Sequence, residues 1–382
     1  MTVANYQFLL RNPSSLAVTF EIRPQDVQVA EWTRDQYGLG SWSMTLPRND
    51  TYRPAALAKH SLLEVMRDGV LEFVGALELR QVDELAKFWT IGGPQITGWM
   101  LGMRVVGETA PDNRSGPAET VLKDYVTAYL GSGAAAPRRL ATYLTTATFT
   151  VETDQGRGGI TSVAANRKYL SQLAQEACLA GNVVQEIAVR SDRSGYEYRV
   201  TLPTNATVSA GARPFSVSWD NVAQFQFVED YRQHKNHLYV AGNGSGAGRS
   251  VTEVQDAASV TTDWRREAVV DASYATTGDA RSTVGASEQA LRRMALVGVK
   301  AAPLYGDGPA VYHADWDVGW DVTFAQSELR EASVDVRIAA ATVRLTGSEI
   351  ETIGFTLGLR RQDSDLRRLA DAIVRLQQSA SV

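Results

Sequence analysis

Residues 237–260 read HLYVAGNGSGAGRSVTEVQDAASV, and the class of fold turns on them. His237–Ala241 is an apolar, strand-like run. Gly242, Gly244, Gly246 and Gly248 follow it, with Arg249 at the end. Glycine loops after strands often hold phosphates, but under fixed conditions. A Walker-type loop needs Gly-Lys-Ser/Thr and then a helix whose N-terminus faces the anion. A dinucleotide loop also opens a helix, with an acidic residue about 20 positions on. Here Arg249-Ser250 follows Gly248, and RSVTEVQDAASV alternates as a strand does. The stretch is therefore predicted to be two strands joined by a flexible connection, poor in apolar side chains and mobile unless something covers it.

The flanking sequence has the same β character. From residue 5 to about 106, VTFEIRP, SWSMTLP, LLEVMRDGVLEFVGALELRQVD and KFWTIGGPQITGWMLGMRVV are short, β-branched and aromatic, with Gly, Pro and Asp between them. That spacing predicts a small barrel or sandwich. Arg67-Asp68-Gly69 reads as a hairpin turn between two apolar strands. Gly38, Gly40 and Trp42 mark a bend or bulge feeding the next strand. Beyond Phe215, FSVSWDNVAQFQFVED, HLYVAG, RSVTEV, AVYHADWDVGWDVTF, VDVRIAAATVRL and EIETIGFTLG read as strands, interrupted by one helix in SEQALRRMALVGV.

Between these regions the period changes. Val121, Leu122, Tyr125, Val126 and Tyr129 have helical spacing, closed by Gly131. A second helix is predicted over about Asn166–Ala180. Its apolar face is Leu170, Leu173, Ala174 and Ala177, and Gly181-Asn182 is its C-cap. Strands NVVQEIAV and YEYRVTLP complete a mixed α+β region. At the far end, DSDLRRLADAIVRLQQ is amphipathic through Leu366, Leu369, Ile373 and Leu376, with Asp363 or Ser364 as cap. Two heptads are too few for an independent coiled coil, so this helix docks on a neighbouring subunit or on its own core. The expected organisation is a first β-barrel at 1–106, a mixed α+β domain at 107–210, a second β-barrel with a helical insertion at 211–359, and a C-terminal amphipathic helix at 360–382. No fixed-period repeat relates the two β-rich regions.

Composition narrows the function classes. With 38 Lys+Arg against 43 Asp+Glu and no basic cluster, the 382-residue chain lacks the footprint of a general nucleic-acid binder or a membrane-surface protein. It has no apolar run long enough for a transmembrane helix. MTVANYQFLLRNPSS lacks the basic and apolar regions of a secretory signal. A single cysteine, Cys178, rules out an intramolecular disulfide and reads as a buried thiol on a helix face.

Catalytic motifs are weak. His234 and His237 in HKNH do not have the i, i+4 spacing of a helical metal pair, and they read as solvated loop or strand histidines. Asp315, Asp317 and Asp321 in HADWDVGWDV fail as a calcium loop. Counting from Asp315, position six is Trp320 and position twelve is Gln326. They read instead as acids flanking a strand turn. There is no G-x-S-x-G elbow. A glycosidase carboxylate pair has no fixed spacing and stays open. No cofactor, metal or catalytic residue is expected.

The order of segments resembles the baseplate or tail-hub proteins of long-tailed bacteriophages, and most closely the siphophage Gp37-like family. WTRDQYGLGSWSMTLPRND is similar to that family's opening strands. NHLYVAGNGSGAGRSVTEVQDAASVTTDWRREAVVDAS is similar to its central signature, here at Asn236, Gly242, Gly244, Arg249, Arg266, Glu267 and Asp271. YHADWDVGWDVTF resembles its acidic strand turn, although the family's Gly-Asp pair is split here as Gly319-Trp320-Asp321. VDVRIAAATVRLTGSEIETIGFTLG resembles its closing strands. The likeness spans most of residues 5–359.

The resemblance implies a structural virion protein, made in the host cytoplasm and placed at the distal tail tip. It implies a homotrimer whose two tube-like barrels per subunit adapt a six-fold tube to a three-fold tip. Implied partners are the distal tail protein, the tail tube or tape-measure protein, and tail-tip or receptor-binding proteins. Genomic DNA passes through without specific binding, so the lumen is expected to be neutral to acidic, and no stable membrane insertion is expected. The glycine loop, with Gly242, Gly244, Gly246, Gly248 and Arg249, then serves as a contact with a neighbour, Arg249 pairing with a carboxylate across it. Two other classes stay open. One is a cell-wall or carbohydrate-binding tip protein, marked by an exposed aromatic cluster in a groove. The other is a wall-degrading hydrolase, against which the 23 residues after Leu359 argue as too short for an appended enzyme.

Overall fold

The structure is a computed structural model. It describes residues 4–53, 55–82, 87–216, 221, 225–229, 234–273, 275, 277–294, 297–301, 311–324, 334–347 and 350–358. The amphipathic segment with Leu366, Leu369, Ile373 and Leu376 lies outside the described residues.

Strand Val334–Thr346 organises the fold. Residues Ile338, Ala339, Ala340 and Ala341 are all buried, which marks a strand covered on both faces. On one side it pairs antiparallel with Ile350–Gly358, on the other with Val29–Asp35, in register from Ala340 opposite Asp35 to Thr346 opposite Val29. The N-terminal and C-terminal β-rich regions therefore meet in one sheet. That sheet continues through Ser41–Pro47 and Phe88–Pro94 to Leu79–Val82, and on its other side through Val297–Ala301 to Phe225–Glu229. A four-stranded antiparallel sheet runs in the order Val18–Ile22, Tyr6–Arg11, Leu62–Arg67, Val70–Ala76. Its Tyr6 and Phe8 rings meet the edge of Trp32 at 5.5 and 6.3 Å, so the two sheets stack. One core joins Phe8, Leu10, Trp32, Trp42 and Met44 to Phe215, Trp316, Ile338, Val343 and Phe355. The protein is mostly β with an α+β insert, as expected. Among the described residues no sheet closes on itself.

Local chemistry explains the turns. Asp68 and Gly69, both at positive φ, join Leu62–Arg67 to Val70–Ala76, as the Asp-Gly signal predicts. Between Val29–Asp35 and Ser41–Pro47 the backbone folds back on itself at Gly38 and Gly40. A Cβ on Gly40 would sit 1.8 Å from the Thr33 carbonyl oxygen, and Gly38 has φ +70°. Gly40→Ala is expected to cost ~3 kcal/mol, because the clash is with backbone that must move. A shift in urea midpoint measures this, and an unchanged midpoint would show that the turn is free to relax.

The middle region has its own core. Helix Ala118–Tyr129 buries Val121, Leu122, Tyr125 and Val126. Helix Leu170–Gly181 buries Leu170, Leu173, Ala174, Ala177 and Cys178, and ends on Asn182 in the left-handed conformation. Val121, Leu122, Tyr125 and Val126 match the predicted face, with Tyr129 only part-buried, and the second face matches too, although that helix starts at Leu170, after the short strand Lys168–Tyr169, and not at about Asn166.

Residues 237–294 hold a third unit. Strand His237–Ala241 lies between antiparallel Val251–Gln255 and parallel Glu267–Asp271. One face of this sheet packs Leu238 and Val240 on helix Gly278–Met294, through Val284. Two expectations are corrected here. The strand after the glycine loop stops at Gln255, where the Asp256 side chain accepts from Ser259 N and caps a short helix, Ala257–Asp263. The helix placed in SEQALRRMALVGV begins earlier, at Gly278, ends at Met294, and gives way to strand Val297–Ala301. Asp and Ser compete for the backbone locally, which hides such caps from a count of apolar residues.

Candidate functional site

The glycine loop is the tip of a hairpin. Gly242 N donates to Ser250 O at 2.7 Å, and Ser250 N to Asn243 O at 3.1 Å. Gly244 and Gly246 take positive φ, and a single 3-10 turn spans Gly246–Gly248. Arg249 Nε donates to Gly242 O at 2.9 Å, and its guanidinium also pairs with Asp271 on the adjoining strand. The connection is thus tied at its base by its own arginine rather than left flexible. A strand follows it, not the helix that a phosphate loop opens.

The histidines of HKNH are not solvated: His234 and His237 are both buried. His234 Nε2 lies 2.8 Å from Ser259 Oγ, and His237 Nε2 lies 3.0 Å from the Arg265 guanidinium. They lock the third unit from within.

The acidic turn behaves differently from its neighbours. Asp315 accepts from Val311 N at 2.7 Å, and Asp321 pairs with Arg337 at 2.8 Å. Gly319 holds φ +84° and its N–H donates to Ile338 O, and Trp320, split between Gly319 and Asp321, begins strand Trp320–Phe324 packed against the main core. Asp317 enters a half-buried cluster built on the buried Glu72 and Tyr312. Arg34 donates to both Asp317 and Tyr312 Oη at 2.8 Å. Tyr312 Oη donates to Glu72 at 3.0 Å, and Trp32 Nε1 to the same oxygen at 3.4 Å. His313 bridges the two carboxylates, through Nδ1 to Asp317 at 2.9 Å and through Nε2 to Glu72. The cluster joins three stretches: Val29–Asp35, Val70–Ala76 and the 311–319 turn.

Its electrostatics are self-consistent. Burial alone would pull the His313 imidazole down, but hydrogen bonds to Asp317 and Glu72 and their charges hold it up at about 9. Burial would raise Glu72 and Asp317, but His313 and Arg34 outweigh it and hold both carboxylates below their ordinary range. Two anions face two cations, and the cluster is neutral. Both carboxylates are engaged by cations, and neither is held protonated as the general acid of a glycosidase pair is.

Three further buried carboxylates tie the chain together. Glu64 binds Arg11 on the neighbouring strand and Arg193 of the middle region. Glu351 accepts from Tyr6 Oη at 2.6 Å and Arg67 at 3.0 Å, so the last described strand is bonded to the first. Glu119 is held down to about 2: burial would raise it, but Arg157 and Lys123 outweigh the burial. Sequence reading missed Glu72, Glu64 and Arg34. The available signal was a carboxylate inside an apolar strand, as in LLEVMR and VLEFVG.

The sequence-predicted interface residues divide. Gly242, Gly244, Gly246, Gly248 and Arg249 share one hairpin tip, whereas Leu366, Leu369, Ile373 and Leu376 lie outside the described residues. No helix among the described residues is long and apolar enough to cross a membrane.

This architecture is shared with known proteins. No curated protein matches the chain. The 43 kDa tail protein of prophage MuSo2 from Shewanella oneidensis superposes with a TM-score of 0.59 at 12% identity, over 92% of this chain and 98% of that one. A tail protein from Neisseria meningitidis MC58 gives 0.56 at 10% identity, over 93% and 97%. Prophage tail protein gp18 from Listeria monocytogenes EGD-e gives 0.55 at 11% identity, over 97% and 99%. At these identities the likeness is one of fold. The Siphovirus ReqiPepy6 Gp37-like family matches residues 14–359, most of the two β-rich regions and everything between them, and the chain belongs to that family.

Proposed function

We propose that this chain is a structural protein of a phage tail, and within the tail a trimeric hub at the distal end. The observation that carries the reading is end-to-end sharing of fold with three tail proteins, each covered over nearly its whole length. In this reading the β-rich regions 1–106 and 211–359, joined through one open sheet, supply the two tube-like β units of each subunit. Three subunits then offer six such units to the tube above and three-fold symmetry below. Closure into a ring covers sheet edges that would otherwise aggregate. The region 107–210 decorates the ring, and 360–382 docks on a neighbour or on its own core. The hub contacts the distal tail protein, tube or tape-measure protein, and tip proteins, and DNA slides through a neutral to acidic lumen.

The buried ion clusters suit a load-bearing part. They bond distant strands to each other. The wall-binding alternative needs exposed aromatics gathered in a groove. Phe88, Tyr143, Tyr169 and Trp264 are exposed but sit on separate elements.

Light scattering across a concentration series is expected to return the mass of three chains. A stable dimer would overturn the hub and bring the wall-binding reading forward, to be tested by pull-down on cell walls.

A further inference from the structure

Asn243-Gly244 is the only Asn-Gly step in the sequence. The fold demands glycine at its second position. Gly244 holds φ +107°, and a Cβ there would stand 2.8 Å from Gly248 O. Both residues are exposed, at the hairpin tip between strand His237–Ala241 and the 3-10 turn Gly246–Gly248. The ladder stops at Asn243 O, which accepts from Ser250 N. Gly244 N turns to the side chain before it and donates to Asn243 Oδ1 at 2.9 Å. Among the described residues, that is the one hydrogen bond made by either the Gly244 nitrogen or the Asn243 carboxamide.

The bond folds the carboxamide back over the next peptide nitrogen. Gly244 N and Asn243 Cγ are then the two atoms that close a five-membered ring. Glycine has no side chain to shield the nitrogen, and water reaches both groups. A backbone amide is a poor nucleophile until it loses its proton, but a nucleophile held beside its electrophile gains a large effective concentration. We propose that Asn243 is a self-modification site, at which the protein converts its own asparagine to an acidic residue with water as co-reactant. Hydroxide takes the Gly244 N–H proton. The nitrogen attacks Cγ, the N–Cγ bond forms, and the Cγ–Nδ2 bond breaks, releasing ammonia that takes its proton from water. Water then opens the cyclic imide. Opening at Cγ gives aspartate, and opening at the main-chain carbonyl gives isoaspartate, with the chain running through Cγ. The net change consumes one water and releases one ammonia. Either product sets a negative charge beside Gly242, whose carbonyl oxygen accepts from Arg249 Nε. The isoaspartate also lengthens the backbone where Ser250 N bonds to Asn243 O, and so loosens the tip. None of this depends on the hub reading.

The test ages the purified full-length protein at pH 7, 8 and 9, folded and in urea. Peptide mapping by mass spectrometry reads amide against acid, and an isoaspartyl methyltransferase labels the rearranged product. The folded protein is expected to gain acid and isoaspartate at 243 while its other asparagines keep their amides. The rate should rise about tenfold per pH unit, following the deprotonated nitrogen. Asn243→Gln, whose ring would need one more atom, should keep its amide over the same time. If the folded protein keeps the Asn243 amide while the unfolded chain loses it, the hairpin holds the pair apart and the proposal falls. Equal loss at the other asparagines would also overturn it, since the hairpin would then add nothing.

Discussion

Glu72→Ala is expected to lose about 2–4 kcal/mol of folding stability, somewhat less than breaking a fully buried pair costs, because Arg34 and His313 keep part of their surface in water. Glu72 is buried in the strand Val70–Ala76 and accepts from Trp32, Tyr312 and His313. Its removal leaves three donors without their acceptor. It also leaves Arg34 and His313, two cations, facing Asp317 alone. Glu72→Gln keeps the shape and one acceptor oxygen, so its loss should be smaller, with His313 now facing an amide in place of a charge. Urea unfolding of the three proteins tests this. Equal midpoints for wild type and Glu72→Ala would mean that water enters the site and that the cluster does not hold the sheets together.

The legible part of this fold was local. The periods of Ala118–Tyr129 and Leu170–Gly181 appear in sequence because each helix buries one face, and the Asp68-Gly69 turn appears because few residues tolerate its backbone. The absence of a phosphate loop followed from what comes after Gly248. Strand partners were not legible. Val334–Thr346 pairs with Val29–Asp35 across some 300 positions of chain, and alternation says which face a strand buries, not which strand lies beside it. Burial of His234 and His237 was missed for the same reason: their partners, Ser259 and Arg265, arrive through a helix that its Asp256 cap concealed. Arg249 was expected to find its carboxylate on a neighbour, yet Asp271 of the same chain reaches it, because a parallel strand brings the two level. The family likeness pointed to both residues without saying that they touch.

Stability is expected to fall as pH rises from about 6.5 to 9. The cause is His313. Its pKa is raised in the folded protein to about 9, from 6.5. A raised pKa stabilises fully below the unfolded value, and the gain is lost as pH climbs through the folded one. That gap corresponds to about 3 kcal/mol by linkage. The His313 side chain is 34% exposed, so solvent screening reduces the expected loss to about 1–2 kcal/mol. The other groups of the cluster hold still in this window. Arg34 is raised and stays charged, Tyr312 is raised and stays neutral, and Glu72 and Asp317 are lowered and stay ionised. Those two carboxylates act at the other end, where their contribution is present above the ordinary carboxylate range and is lost as pH falls from there through their lowered folded values. His313→Gln should therefore be less stable than wild type at pH 6 and converge with it near pH 10. Urea midpoints across this range measure the difference, and parallel curves for the two proteins would remove His313 as the cause. The position of the cluster adds a second readout. Arg34 lies on the strand that pairs with Val334–Thr346, and His313 lies on the turn that crosses to Glu72. Alkaline weakening should then appear as faster amide exchange along Val29–Asp35, while helix Leu170–Gly181, anchored in a separate core, keeps its protection.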